Sequence, residues 1–339
     1  MAAEIAEQPS VLARILREGR PRVSEVARAI GARAPRFVLF VARGTSDHAA
    51  LYAKYLVETR LALPAGLVSP STTTVYGAGL SLRDVLYVAV SQSGGSPDLL
   101  EPLARARDDG AITVAVTNTP DSPLAAAAEY HLDILAGPER AVAATKTYTA
   151  QLLTLFLLVE AIADRDGAEA AALPDHADEL LARGDEVARL AVRYRFAEQL
   201  VTTARGYSYP TAREAALKLM ETSYLVAHAF SGADLLHGPL AMIDRGFPII
   251  AVAPPGAGGA ALRPVLERLR ERGADMLVLG DPGAVALGQV GIALPGAVPD
   301  ILSPILSILP LQQLAWNLAR ERGLDPDQPR GLRKVTETR

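Results

Sequence analysis

A chain of 339 residues is long enough for two compact domains, and its 50% hydrophobic and 21% charged residues are typical of a folded globular protein. The formal net charge of -4, with no strongly basic block in either half, argues against DNA or RNA as a partner. No cysteine occurs, which excludes disulfides, thiolate metal sites and cysteine nucleophiles among these residues.

The sequence predicts a helical N-terminal segment over residues 1–35. Residues 1–16 contain charged side chains and a proline, so they lack the basic start and apolar core of a signal peptide. Apolar runs such as residues 152–159 are shorter than the roughly 18 to 20 residues that cross a membrane. The sequence therefore predicts a protein without a membrane partner, with a cytoplasmic location assigned by default.

Between residues 36 and 165, short apolar runs alternate with longer helical stretches, a pattern typical of βαβ units on a parallel sheet. The runs are nearly continuous in apolar residues, as expected for strands covered on both faces. A helical connector is predicted over residues 166–194, a second domain over 195–325 and a polar tail over 326–339. The predicted strands of the first domain are residues 37–42, 85–91, 112–117 and 131–135.

The second domain repeats the first. The segment Ala-Arg-Gly-Thr-Ser at residues 42–46 recurs as Ala-Arg-Gly-Tyr-Ser at 204–208, and the same spacing separates the apolar runs 85–90 and 247–252. A shared spacing at two separate places indicates a duplication. The sequence therefore predicts an α/β protein made of two tandem, doubly wound parallel-sheet domains of the flavodoxin-like kind.

Two loops of the first copy are rich in hydroxyl side chains, and each follows a predicted strand. Ligands of parallel sheets bind beyond the carboxyl ends of the strands, where hydroxyl and backbone N–H donors at helix N-termini can hold a phosphate. The alternative is that both loops only cap helices, since Ser and Thr are common N-caps. Two such loops on one sheet favour phosphate binding. Their residues are Gly44, Thr45, Ser46, Ser91, Gln92, Ser93 and Ser96.

Neither loop carries a dinucleotide or P-loop fingerprint, so the sequence predicts no cofactor and no metal. The corresponding loops of the second copy, residues 206–210 and 253–256, have lost the paired hydroxyls, so we do not expect this copy to hold phosphate. It carries instead Lys218 and Glu221 on one helical face, followed by His237. From the residues alone, the pair could be a solvated surface pair and the histidine a structural turn residue.

The segments that carry these residues resemble the isomerase domain of glucosamine-6-phosphate synthases. The resemblance rests on residues 209–221 and 237–244, and it includes residues 91–94, 136–146 and 327–336 in the same order. It extends over nearly the whole chain, from about residue 4 to residue 336. The chain is thus similar to the SIS, or sugar isomerase, domain family, in which such domains occur in tandem.

The resemblance implies a role for each residue. Glu221 would move a proton between C1 and C2 of the sugar with Lys218 beside it, His237 would open the ring, and Lys334 would supply an amine for a Schiff base. The hydroxyl loops would hold the phosphate, and Val142 would contact the substrate. In that family the histidine comes from a second subunit, which implies a homodimer with the active site at the subunit interface.

Three positions depart from the synthases: Ala144 replaces a serine that contacts the sugar, Arg43 replaces a cysteine and Met220 replaces a lysine. The synthases obtain ammonia from glutamine in a separate domain with a cysteine nucleophile, which we do not expect in this chain. The expected activity is therefore a deaminase and isomerase that converts glucosamine 6-phosphate to fructose 6-phosphate and ammonia. The alternatives are an enzyme for an N-substituted sugar phosphate, either a fructosamine-phosphate deglycase or a dehydratase of N-acetylglucosamine 6-phosphate, and a non-catalytic sugar-phosphate-binding regulator.

Overall fold

The computed structural model describes residues 1–296 and 298–334, which divide into two compact units. The first-sheet unit comprises residues 10–140, 144–171 and 332–334. The second-sheet unit comprises residues 1–9, 141–143 and 172–331. The N-terminal segment is helical, as predicted, and contains α1 (Ala2–Ala6), α2 (Gln8–Arg14) and α3 (Arg20–Arg33).

The first sheet has five parallel strands in the order β2-β1-β3-β4-β5. Every residue of β3 and β4 is buried, which explains why these strands read as continuous apolar runs. Its strands are β1 (Phe37–Val41), β2 (Ala65–Leu67), β3 (Val85–Ser91), β4 (Ile112–Thr117) and β5 (Tyr130–Asp133). Its helices are α4 (Thr45–Leu56), α5 (Ser71–Thr74), α6 (Pro97–Asp108), α7 (Pro123–Ala127) and α8 (Lys146–Ile162).

The second sheet has the same order. It begins after helices α9 (Leu173–Leu181) and α10 (Gly184–Tyr194), and its strands are arranged β10-β9-β8-β6-β7, all parallel. The strands are β6 (Gln199–Ala204), β7 (Val226–Ser231), β8 (Pro248–Ala253), β9 (Asp275–Gly280) and β10 (Val290–Ala293). The helices are α11 (Tyr209–Ser223), α12 (Gly232–Leu236), α13 (Ala257–Glu271), α14 (Pro282–Val285) and α15 (Ser303–Glu321).

In both sheets the strand order reverses between the first and third strands. These are β1 and β3 in the first sheet and β6 and β8 in the second. The predicted tandem, doubly wound α/β fold is therefore confirmed. The sequence did not predict β2 or β7, because both are edge strands with partly exposed residues instead of a continuous apolar run. The predicted strand ends at 42 and at 135 were also too late, since β1 ends at Val41 and β5 at Asp133.

One helical segment, Asp300–Glu321, is long and apolar enough to cross a membrane by length and composition. Within the fold, however, 83% of its most apolar 18-residue window is buried. The segment contains α15, which packs against α10 and α11 of the same unit. The sequence analysis did not recognise this run, and its burial is that of a core helix.

Candidate functional site

The two hydroxyl-rich loops follow neighbouring strands of the first sheet. β1 pairs directly with β3, so residues 42–46 and 92–96 leave the same edge of the sheet at the point where the strand order reverses. Gly44 has φ +54°, a conformation that favours glycine, and it is the N-cap of α4. Both loops thus lead directly into a helix N-terminus.

The N-cap residues of the helices that follow these loops do not cap them with a side chain. Gly44 before α4 and Ser96 before α6 make no capping hydrogen bond. Elsewhere serine does cap helices: Ser122 Oγ accepts the N–H of Ala125 at the start of α7, and Ser231 caps α12. Neither N-cap residue therefore provides the side-chain cap that the capping alternative requires.

Ser91 and Ser93 stabilise the second loop through its glycines. Ser91 Oγ accepts the N–H of Gly94 at 3.1 Å, and Ser93 Oγ accepts the N–H of Gly95 at 3.3 Å. A hydroxyl that accepts a hydrogen bond still has its own proton to donate. The two side chains can therefore fix the loop and also donate to an anion.

An ion pair connects the two loops. Arg43, which is half exposed, donates from Nε to Oδ2 of Asp98 at 2.6 Å, and the side chain of Asp98 is only 1% exposed. Asp98 lies in the first turn of α6, so the pair connects the loop after β1 to the helix after β3. In the first loop, Ser46 Oγ accepts from Gln151 Nε2 at 2.9 Å. Arg43 was noted from the sequence only because it replaces a cysteine of the synthases. Asp98 was not predicted as a site residue, although its position two residues after Ser96 places it next to the second hydroxyl-rich loop.

Lys334 pairs with a buried carboxylate of the first-sheet unit. Its Nζ lies 3.0 Å from Oε2 of Glu139. Oε1 of Glu139 accepts the backbone N–H groups of Thr145 and Thr147, and its Oε2 accepts Thr147 Oγ1 at 2.6 Å. Glu139 therefore accepts hydrogen bonds from residues at the start of α8 and also pairs with the predicted reactive amine of Lys334. The sequence analysis did not select it, although it lies in the stretch 136–146 that carries the family resemblance.

Lys218 and Glu221 are not a solvated surface pair. The Lys218 side chain is fully buried, and its Nζ lies 2.5 Å from Oε2 of Glu221, whose side chain is 21% exposed. A second buried carboxylate, Glu214, lies 3.4 Å from the same Nζ. The three residues share one face of α11. Glu214 was not predicted from the sequence, although its position four residues before Lys218 indicates that the two side chains are neighbours on one helical face.

Two further predicted residues, His237 and Val142, belong to the second-sheet unit. His237 is exposed at the C-terminus of α12, next to Gly238 with φ +130°. Val142 is half-buried and belongs to the second-sheet unit with Lys218, Glu221 and His237, whereas the hydroxyl loops and Lys334 belong to the first-sheet unit. Within residues 1–296 and 298–334, no group of three or more His, Asp or Glu side chains could hold a metal ion.

Comparison with known proteins identifies the family. The profile of the SIS domain matches residues 33–161 and 194–319. A glutamine–fructose-6-phosphate aminotransferase (isomerizing) of Methanothermobacter thermautotrophicus is 37% identical over 98% of this chain, which spans 56% of that relative's length.

Two solved structures are similar over nearly their whole length. A putative phosphosugar isomerase from Silicibacter pomeroyi is 36% identical with a TM-score of 0.87, covering 96% of this chain and 98% of that one. The C-terminal domain of glucosamine-fructose-6-phosphate aminotransferase from Francisella tularensis is 27% identical with a TM-score of 0.85, covering 96% and 97%. The chain therefore belongs to the SIS domain family, as a tandem pair of SIS domains homologous to the isomerase domain of glutamine–fructose-6-phosphate aminotransferases.

Proposed function

We propose that this chain is an enzyme that binds glucosamine 6-phosphate and converts it to fructose 6-phosphate and ammonia. The observation that carries the proposal is the pair of hydroxyl-rich loops at neighbouring strands, where the N-cap residues of α4 and α6 make no side-chain capping hydrogen bond. Hydroxyl protons and helix N-termini at one sheet edge are suited to a phosphate dianion. The relatives named as phosphosugar isomerases and aminotransferases support the same class of ligand.

The chemistry is a proton transfer followed by hydrolysis. His237 assists opening of the sugar ring, which exposes the C1 aldehyde. Glu221 takes the C2 proton and returns it at C1, while a proton passes from the amine nitrogen to O1, so C1 becomes an alcohol and C2 an imine. Water then adds to C2, the C2–N bond breaks, and ammonia leaves with the protons that balance the new ketone. The buried cation of Lys218 compensates the negative charge of Glu221 through these steps.

Lys334 supplies an amine that can form a Schiff base with the open-chain ketose. In the structure its ammonium is paired with Glu139, which fixes its position while it is protonated. Transfer of that proton to Glu139 or to solvent would free the nitrogen lone pair. We propose that Glu139 is the positioning residue for this lysine.

We propose release of ammonia as the direction of reaction. The aminotransferase relatives are named for taking nitrogen from glutamine, and this chain spans 56 to 58% of their length in two of them. The 339 residues contain no cysteine, and therefore no thiol that could release ammonia from glutamine. With free ammonia dilute, the hydrolytic direction is favoured by mass action.

A second candidate substrate is an N-substituted sugar phosphate. The observation in its favour is Ala144, which replaces the sugar-contacting serine of the synthases and leaves a smaller, apolar side chain. With a fructosamine phosphate, the same proton transfer would release an amine. With an N-acetyl group, loss of the C2 proton could expel the C3 hydroxyl instead.

The test is a product assay on the purified protein. Glucosamine 6-phosphate, its N-acetyl derivative and a fructosamine 6-phosphate are incubated separately, and ammonia, fructose 6-phosphate and ultraviolet-absorbing products are followed. We expect stoichiometric ammonia and fructose 6-phosphate from the free amine. Turnover of a substituted substrate alone would select the second candidate, and binding without turnover of any would identify a regulator.

A further inference from the structure

The connection between β10 and α15 places a carboxylate at the N-terminus of α13. Oδ2 of Asp300 accepts the backbone N–H of Gly258 at 2.9 Å. This donor lies in the first turn of α13, which has 15 residues. A negative charge there is stabilised by the unsatisfied N–H groups and by the helix dipole.

This position corresponds to the proposed phosphate position of the first copy. α6 follows β3 and α13 follows β8, and β3 and β8 are the third strands of two sheets with the same order. In the first copy, the N-cap residue Ser96 makes no capping hydrogen bond. In the second copy, the N-cap residue Gly256 also makes none, but Asp300 reaches this helix start from 42 residues away in the sequence.

Asp300 fits closely against this loop. A Cβ added to Gly256, which has φ +124°, would lie 2.5 Å from Cβ of Asp300, so a side chain at this position would collide. Oδ1 of Asp300 is buried and makes no hydrogen bond with the described residues. Burial raises the pKa of the Asp300 carboxyl above its ordinary value, and the N–H groups of Gly258 and Ala257 oppose that shift. The carboxylate is thus desolvated and held by backbone donors, like a bound anion.

The neighbouring loop of the second copy retains a polar group. Ser208 follows β6 at the position that Ser46 has after β1, and its hydroxyl is fully buried. No residue of the described chain makes a hydrogen bond with that hydroxyl. A buried hydroxyl without a partner is unfavourable in a purely structural loop.

We propose that the start of α13 is the anion-binding site of the second SIS copy and that Asp300 occupies it in place of a phosphate group. The two copies would then share one site architecture, open to a ligand in the first and filled by the chain itself in the second. Removing the carboxylate should let inorganic phosphate bind at α13. This inference concerns the second-sheet unit alone and holds whether or not the first copy binds a sugar phosphate.

The test is phosphate-dependent stability in a background where Ser91→Ala and Ser93→Ala disable the first loop. Asp300→Ala should lower the thermal unfolding midpoint by about 2 to 4 °C, since it removes a helix cap. Inorganic phosphate, added at an ionic strength kept constant with chloride, should raise the midpoint again. Ligand binding to the folded state alone predicts a continued rise as phosphate exceeds its dissociation constant.

Two variants serve as controls. Asp300→Asn keeps the volume and an acceptor oxygen, so it should gain no phosphate response. Asp281→Ala removes a carboxylate that caps the short helix α14 in the same unit, and it should lose stability without rescue. An equal phosphate response in the parent, in Asp281→Ala and in Asp300→Ala would overturn the inference. A chain with Asp300→Ala that stays unfolded at every phosphate concentration would overturn it too, whereas folding only with phosphate would support it.

Discussion

Glu221 owes its chemical environment to Lys218, a lysine with a fully buried side chain. A buried cation without a partner would be strongly unfavourable, and the two carboxylates Glu214 and Glu221 both lie within ion-pair distance of it. Glu214 is fully buried, whereas Glu221 is partly open. This difference in exposure is suited to two roles: Glu214 compensates the positive charge of Lys218, and Glu221 contacts a substrate.

Glu221→Gln separates the acid/base role from a structural one. Glutamine keeps the size of the side chain but cannot accept the C2 proton, so turnover should fall by about 10² to 10⁴-fold. A ligand-induced shift of the unfolding midpoint should show that substrate still binds. The matched control is Glu186→Gln, which removes a carboxylate from another ion pair of the same spacing, with Arg183, and should leave turnover unchanged. Full turnover with Glu221→Gln would contradict the mechanism.

Glu139→Gln tests how Lys334 is positioned. The neutral amide can keep a hydrogen bond to the start of α8 but loses the charge that pairs with Nζ at 3.0 Å. We expect turnover to fall, because the ion pair no longer fixes the position of the amine. Reductive trapping with borohydride and ketose, followed by mass spectrometry, should show less adduct on Lys334. Unchanged trapping and unchanged turnover would leave Glu139 as a helix cap only.

At the scale of elements, the two hydroxyl loops are the clearest link between fold and ligand. Ser91→Ala combined with Ser93→Ala removes two donors and leaves the strand that precedes them intact. Each hydrogen bond to a charged group contributes about 1.5 to 3 kcal/mol, so losing both should lower the affinity for a sugar phosphate by at least about a hundredfold. Calorimetric titration measures the loss, and Thr59→Ala, at an exposed hydroxyl of the same unit, is the control. Unchanged affinity would leave the loops without a ligand role.

A second element-scale effect lies near the end of α8. The Glu160 side chain is buried, and this burial raises its pKa above the ordinary value, although Arg60 Nε lies 2.9 Å away. The folded state therefore binds this proton more tightly than the unfolded state, so the contribution of Glu160 to stability falls as pH rises from the unfolded pKa through the raised folded one. Glu160→Gln should remove that component. Denaturation of both proteins across this pH range should show the wild type losing stability relative to the variant as pH increases, and parallel curves would contradict the effect.

The sequence predicted those elements whose signal is local. β3 and β4 were readable because every residue in them is buried, whereas β2 and β7 carry the mixed exposure of sheet edges. Ion pairs between residues far apart in the sequence could not be predicted from local sequence patterns. Arg43 and Asp98 are 55 positions apart and Glu139 and Lys334 are 195 apart, so only the folded chain brings each pair together.

At the scale of the whole molecule, a duplicated fold has acquired two different uses. The N-cap residues of the first sheet's two switch-point helices make no side-chain cap. In the second-sheet unit, Asp300 accepts a backbone N–H at the start of α13, and α11 carries the Lys218 cluster. Each copy therefore retains the fold and only part of the chemistry. We propose that a dimer completes the site, and exposed His237 is the residue that the neighbouring subunit would contribute.

Subunit complementation tests that assembly. In a symmetric dimer whose sites each combine Glu221 of one chain with His237 of the other, Glu221→Gln and His237→Ala are each inactive alone. A mixed dimer of the two variants contains one site with both residues intact and one with neither. Equal mixing with free exchange of subunits should therefore restore about a quarter of wild-type turnover. Light scattering must show a dimer under the same conditions. If His237 acted within its own chain, every site in the mixture would lack one residue and turnover would stay at the level of the separate variants. Mixing each variant with itself controls for effects of concentration.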